Sequence, residues 1–164
     1  MGRMVAGLKP RGFTWVISER LAVSDRVGGS GFQHRRVRRE EEITWLVEEA
    51  EINTIVSMLP GNQNLAAYRQ AGIATYSVPL GLPIDRRDVG RFFATLDQAL
   101  ARNHAKVLIH RETIDDTIGG LLGGYLVSSG MVKDPILALA LIQQILGRAL
   151  GPEGRSLIPE AAGS

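Results

Sequence analysis

Lys106-Val-Leu-Ile-His-Arg-Glu-Thr-Ile-Asp-Asp-Thr-Ile-Gly-Gly120 is the stretch whose reading decides the fold. Val107 to Ile109 is a continuous aliphatic run, the pattern of a strand buried on both faces of a parallel sheet. From Thr117 to Ser129 the apolar residues Ile118, Leu121, Leu122, Tyr125 and Leu126 recur at helical spacing. The chain therefore runs from a strand through a polar turn into the start of a helix, where backbone N–H groups point at whatever the turn holds. That is the geometry of an anion site.

Outward from this stretch, Phe13 to Ser18 and Leu21 to Ser24 read as two short antiparallel strands around Glu19-Arg20. Val27-Gly-Gly-Ser-Gly31 is loop by composition. A helix is expected over Glu40 to Ala50, with Ile43, Trp45, Leu46 and Val47 inward, and then a strand over Ile52 to Leu59 that Pro60-Gly61 stops. Asn62 or Asn64 caps a helix through Gln70, Gly72 ends it, and a strand follows over Ile73 to Leu80. Asp85 or Asp88 caps a helix reaching about Asn103, and Asp134, Pro135 and Gly147 bound the last helix. Alternating strands and helices specify an α/β fold, a mainly parallel central sheet of about four or five strands with helices on both faces. A site in such a sheet lies at the carboxyl ends of the strands. The expected domain spans 13–159, between a flexible N-terminal arm over 1–12 and a C-terminal tail over 160–164.

Val-Leu-Ile-His110, a turn and a Gly-rich helix together resemble the active-site segment of the cysteine-dependent protein phosphatases, in their dual-specificity and protein-tyrosine-phosphatase-like branch. The signature of that family is His-Cys-x-x-Gly-x-x-Arg-Ser/Thr-Gly. His110 and Gly119 match it. Arg111 stands at the nucleophile, Ile114 at the glycine, Thr117 at the phosphate-clamping arginine and Ile118 at the Ser/Thr. Phe13 to Ser24 resembles the entry hairpin of bacterial members, and Leu146-Gly-Arg-Ala-Leu-Gly-Pro-Glu-Gly-Arg155 resembles their closing segment. The resemblance implies a dual-specificity-phosphatase-like fold whose phosphate loop, His110, Arg111, Glu112, Thr113, Ile114, Asp115, Asp116 and Thr117, is degenerate. It also implies that the former general-acid loop passes through Leu82 and Pro83, with Asp85 three residues late for the acid.

The chemistry of this family needs a thiolate, and the chain has no cysteine at all, which also excludes disulfides and thiolate metal sites. Arg111 cannot replace the nucleophile, because a guanidinium stays protonated, and Thr117 cannot replace a bidentate arginine. No catalytic residue is therefore assigned. Glu112, Asp115 and Asp116 put three carboxylates in the turn. At roughly 5 Å and an effective dielectric near 20, each repels a phosphate charge by about 3 kcal/mol, so phosphate is not the expected ligand. Ile114, where the family has glycine, resists a positive φ and implies a changed loop.

These residues make a pseudophosphatase the expectation: a regulatory, protein-binding module whose acidic loop, beside residues 81–88, would face a basic partner. One alternative is a metal-assisted phosphoesterase in which His110, Glu112, Asp115 and Asp116 hold Mg²⁺ or Mn²⁺. Another is a phospho-ligand reader that uses Arg111. The simplest role for Asp115-Asp116 is to cap the following helix, so no metal or other cofactor is expected. The glycine pairs 119–120 and 123–124 lack the Lys-Ser/Thr of a nucleotide loop and indicate close helix packing.

With 19 basic and 17 acidic residues the net charge is +2, too small an excess for a nucleic-acid surface. The basic run Arg35, Arg36, Arg38 and Arg39, followed by Glu40-Glu-Glu42, reads as a solvated helix approach with glutamates in the first turn, or as a docking patch for an acidic partner. His34 and His104 read as surface groups. The sequence as given opens without a signal-like apolar core, and its longest apolar run, 135–146, is too short for a bilayer. The expected location is the cytoplasm, with no membrane partner.

Overall fold

The computed structural model describes residues 7–61, 63–81 and 83–158. Five strands, β1 (Thr14–Ile17), β2 (Leu21–Ser24), β3 (Thr54–Ser57), β4 (Ala74–Ser77) and β5 (Val107–His110), form one sheet in the order β1-β2-β5-β3-β4. β1 pairs antiparallel with β2, and every other pairing is parallel. Among the described residues six helices are interspersed with these strands, α1 (Arg36–Glu48), α2 (Leu65–Gln70), α3 (Arg86–Leu100), α4 (Asp116–Ser128), α5 (Pro135–Leu146) and α6 (Pro152–Arg155), with a 3₁₀ turn at Gly31–Gln33. The expected α/β architecture is therefore present, and β5 takes the centre of the sheet.

Side-chain alternation along the central strands divides the core in two. Leu21, Val23, Val56, Val107 and Ile109 join Phe92 and Leu96 of α3 and Leu121 and Leu122 of α4 on one face. Ala22, Ile55 and Leu108 join Ile43 and Leu46 of α1 and Tyr68 of α2 on the other. The three central strands are buried throughout. This double burial is why their sequences run apolar without alternating.

Several expected boundaries move. The strands expected at 52–59 and 73–80 are trimmed to four residues each, and α6 was not anticipated. The first helix starts at Arg36, four residues before Glu40, so arginines and not glutamates occupy its first turn. Asp85 caps α3 by accepting from the Asp88 amide at 2.8 Å, and Asp134 caps α5 through the Ile136 amide at 2.9 Å. Gly147 ends α5 at φ +71°. Asn64 occupies the N-cap position of α2, but its side chain makes no cap bond and turns into the protein; Asn62 lies outside the described residues.

Residues 7–9 of the expected arm lie against α1, and Arg11 and Gly12 lie against Asp25 and Ile114. The Leu8 amide donates to Glu41 O at 3.0 Å, and the Lys9 ammonium sits 5.8 Å from the centre of the Trp45 ring. Residues 1–6 and 159–164 lie outside the described residues.

The glycine pairs of α4 are packing devices, as expected. A Cβ on Gly120 would collide with the Gly154 carbonyl oxygen, and one on Gly123 would meet Ile158 Cδ1 at 2.7 Å. Small residues here let α6 and the segment after it lie directly on α4.

Candidate functional site

β5 ends at His110, flanked in register by Ser24 of β2 and Ser57 of β3, all three fully buried. This polar row marks where the central strands give way to loops. A carbonyl can only accept, so His110 Nδ1 carries the proton it gives to Arg111 O at 3.2 Å. Nε2 is then an acceptor and takes the Tyr68 hydroxyl at 3.4 Å. Asn64 Nδ2 donates to that hydroxyl at 3.3 Å and to Val27 O at 2.7 Å, and Asn64 Oδ1 accepts from His34 Nε2 at 3.1 Å. His34 is thus one end of a buried polar chain that reaches the loop, not a surface group. Burial pushes the His110 pKa down to about 4, with the bond to Arg111 opposing the shift, so the ring is neutral near pH 7.

The loop after β5 is held by bonds within itself and to distant segments of the chain. The Arg111 guanidinium pairs with Asp115 at 3.3 Å, and the Asp115 carboxylate also accepts from the Ile118 amide at 2.9 Å as the N-cap of α4. Glu112 accepts from Arg26 Nη1 at 3.2 Å and from the Gly31 amide at 2.9 Å. The Ile114 amide donates to Asp25 Oδ1 at 3.0 Å, and Arg148 donates to the Ile114 carbonyl at 3.1 Å. Thr113 is the exposed tip, and Thr117 sits half-buried in the first turn of α4. Ile114 does not need a positive φ: the non-glycine residues that have one among those described are Glu19, Glu51 and His104.

Asp116 has left the loop altogether. Its carboxylate accepts from the Gly151 amide at 2.6 Å and from the Gly154 amide, fastening the start of α6 to the start of α4. The expectation of three free carboxylates facing a ligand is therefore corrected. Each acid has internal donors, and Arg26, Arg111 and Arg148 compensate the charge.

A metal site built from these residues fails on the same geometry. His110 faces Tyr68, Glu112 faces Arg26 and Gly31, and Asp116 faces α6. No three His, Asp or Glu side chains among the described residues are placed to hold a metal ion.

A cleft of about 340 Å³ opens above the loop, with Met58, Leu59, Pro60 and Leu80 as an apolar wall and Arg111, Glu112 and Asp115 as a polar floor. It sits at the carboxyl ends of the strands, where an α/β sheet places its site. Asp85 is not among its lining residues, and Asp85 Oδ1 serves as the α3 cap; Pro83 is exposed, and Leu82 lies outside the described residues.

The basic run is split by the helix start. Arg38 turns inward to the buried carboxylate of Glu42, which also takes the Gly28 amide at 3.0 Å. Arg39 leans on Asn64 at 3.4 Å. Arg35 and Arg36 remain exposed. Sequence reasoning missed Asp25, Arg26, Asn64, Tyr68 and Arg148. Apart from the Asn64–Tyr68 bond at a separation of 4, the partners that tie them to the site lie tens of residues away, as with Arg26 and Glu112 at a separation of 86.

No family profile matches the chain, and no curated protein matches its sequence. Solved structures do match in shape. The core catalytic domain of the PP-IP phosphatase Siw14 from S. cerevisiae superposes with a TM-score of 0.67 at 15% identity, over 93% of this chain and 86% of that one. A kinase-associated phosphatase with serine substituted for its catalytic cysteine gives 0.72 at 17% identity, over 92% and 93%. Tk-PTP in its active form gives 0.64 at 15% identity, over 90% and 92%. The chain thus has the fold of the protein-tyrosine and dual-specificity phosphatases. At these identities the likeness establishes the fold alone.

Proposed function

We propose that the protein is a catalytically inactive, dual-specificity-phosphatase-like module that acts by binding another protein at the carboxyl edge of its sheet. One observation carries this reading. In a fold whose relatives in shape are phosphatases, Arg111 stands at the nucleophile position with its guanidinium paired to Asp115, and the Ile114 and Ile118 amides are bound by Asp25 and Asp115. Donors that could stabilise a phosphoryl group are thereby satisfied by carboxylates of the chain itself, and no thiolate exists to attack one.

The rival readings lose their residues. A metal-assisted hydrolase needs Glu112, Asp115 and Asp116 to converge, and they diverge. A phospho-ligand reader needs Arg111 free of Asp115. The test is turnover of p-nitrophenyl phosphate across acid to neutral pH, with and without Mn²⁺ and with chelator. The expected rate equals that of buffer under all conditions. Turnover that scales with protein and falls on Glu112→Gln or Asp115→Asn would overturn the reading.

A further inference from the structure

The partner's chemistry is written at the rim of the same loop. Gly31, whose amide holds Glu112, opens a single 3₁₀ turn that presents Phe32 fully to solvent. The turn is fixed in place: Arg35 Nη1 donates to the carbonyls of Phe32 at 2.8 Å and His34 at 2.9 Å. Directly after it, α1 begins with Arg36, 81% exposed, and Val37, 67% exposed. Two cations and two apolar side chains thus lie within six residues on a turn anchored to the site.

This arrangement runs against helix stability. Cations in a first helical turn oppose the macrodipole, and α1 has no acid there to offset them. The ion pairs Arg36–Glu40 and Arg38–Glu42 also have the arginine N-terminal to the glutamate, the weaker order on a helix. Arg38 and Arg39 are accounted for by Glu42 and Asn64. Arg35 donates through Nη1 to the carbonyls of its own turn and Arg36 pairs with exposed Glu40, yet both side chains stay exposed at a helix start that disfavours cations, and departures from local consistency of this kind are expected where a surface has a task. Arg86 and Arg87, both exposed, open α3 at the same edge of the sheet.

We infer that the Phe32–Val37 surface docks an acidic segment of another protein, its carboxylates meeting Arg35 and Arg36 and an apolar side chain lying on Phe32 and Val37. The inference rests on the reading of the protein as a binding module and reverses the sign of the partner expected from the acidic loop, whose carboxylates are internally matched. A polypeptide fits better than an anionic bilayer. Exposed Glu40 and Glu41 follow within one helical turn, so a flat anionic surface would meet carboxylates as soon as it met the arginines. A narrow chain can follow the stripe alone.

The experiment pans the whole protein against a display library of random peptides of about 12 residues, a length that spans a surface of this size in extended form. Enriched peptides are expected to flank an apolar residue with Asp or Glu. A synthesised member should bind more weakly as salt is raised. Phe32→Ser and Arg36→Glu should each weaken it about tenfold or more, with circular dichroism unchanged and melting not lowered, while Lys133→Glu leaves affinity intact. Peptides that are not acidic, or acidic ones indifferent to these variants, would overturn the proposal. So would co-sedimentation with vesicles of roughly 30 mol % phosphatidylserine in the absence of peptide binding, which would assign the face to a membrane. Any of these results alongside no phosphoester turnover removes only the acidic partner. Turnover would instead remove the non-catalytic reading.

Discussion

A histidine sealed from water has to remain neutral, and the cost of that appears when the solvent turns acid. His110 is fully buried with its pKa held down to about 4, against 6.5 in an open chain. Above pH 6.5 the ring is neutral in both states, and its bonds to Arg111 O and the Tyr68 hydroxyl are intact. Between 6.5 and 4 the unfolded chain takes a proton that the folded chain refuses, so stability falls with falling pH by about 1.4 kcal/mol per unit, about 3 kcal/mol in all. Urea midpoints measured from pH 7.5 to 4.5 should show this slope in the native protein and lose most of it in His110→Gln. An unchanged slope in the variant would place the acid sensitivity elsewhere. The chain from His110 through Tyr68 and Asn64 to His34 gives this histidine a structural role, because it holds the loop's first carbonyl in place.

Among the elements, α4 shows how glycine can be required in one helix and merely tolerated in another. A Cβ on Gly120 has no room beside the Gly154 carbonyl, whereas one on Gly90 in α3 meets nothing within 4 Å. Gly120→Ala should cost about 2 kcal/mol or more through displacement of α6, even though alanine is the better helix former. Gly90→Ala should gain up to about 1 kcal/mol. Opposite shifts in the urea midpoint would confirm the contrast, and equal shifts would refute it. The glycine pairs, the caps at Asp85 and Asp134 and the aliphatic run before His110 were legible in the sequence because each has a local physical cause. The start of α1 was not. Dipole preference pointed to Glu40 to Glu42, but Glu42 lies in the second turn, where Arg38 and the Gly28 amide bind its buried carboxylate, and the helix starts at Arg36. Asp116 likewise looked like a member of the acidic loop, and its partners at Gly151 and Gly154 are 35 and 38 residues away.

At the scale of the whole molecule, loops from four strands meet at one edge of the sheet, and what they assemble there is a network of internal hydrogen bonds and ion pairs around a small cleft, in which Arg26 Nε and Arg39 Nε are buried without a partner among the described residues. Among the described residues no helix is long and apolar enough to cross a membrane. The fold was legible from the alternation of strand and helix, and the acidic character of the loop after β5 from its residue types. Its closed state was not, because Asp25, Arg26 and Arg148 reach it from distant segments. That this phosphatase-like fold does not bind phosphate is our proposal, and a melting titration with tungstate, a phosphate mimic, tests it most directly. A ligand at a hundred times its dissociation constant would stabilise the fold by about 2.7 kcal/mol, a readily measured rise. The account predicts no rise at any tungstate concentration. A concentration-dependent rise that disappears in Arg111→Ala would contradict it, showing that the guanidinium leaves Asp115 to clamp the anion.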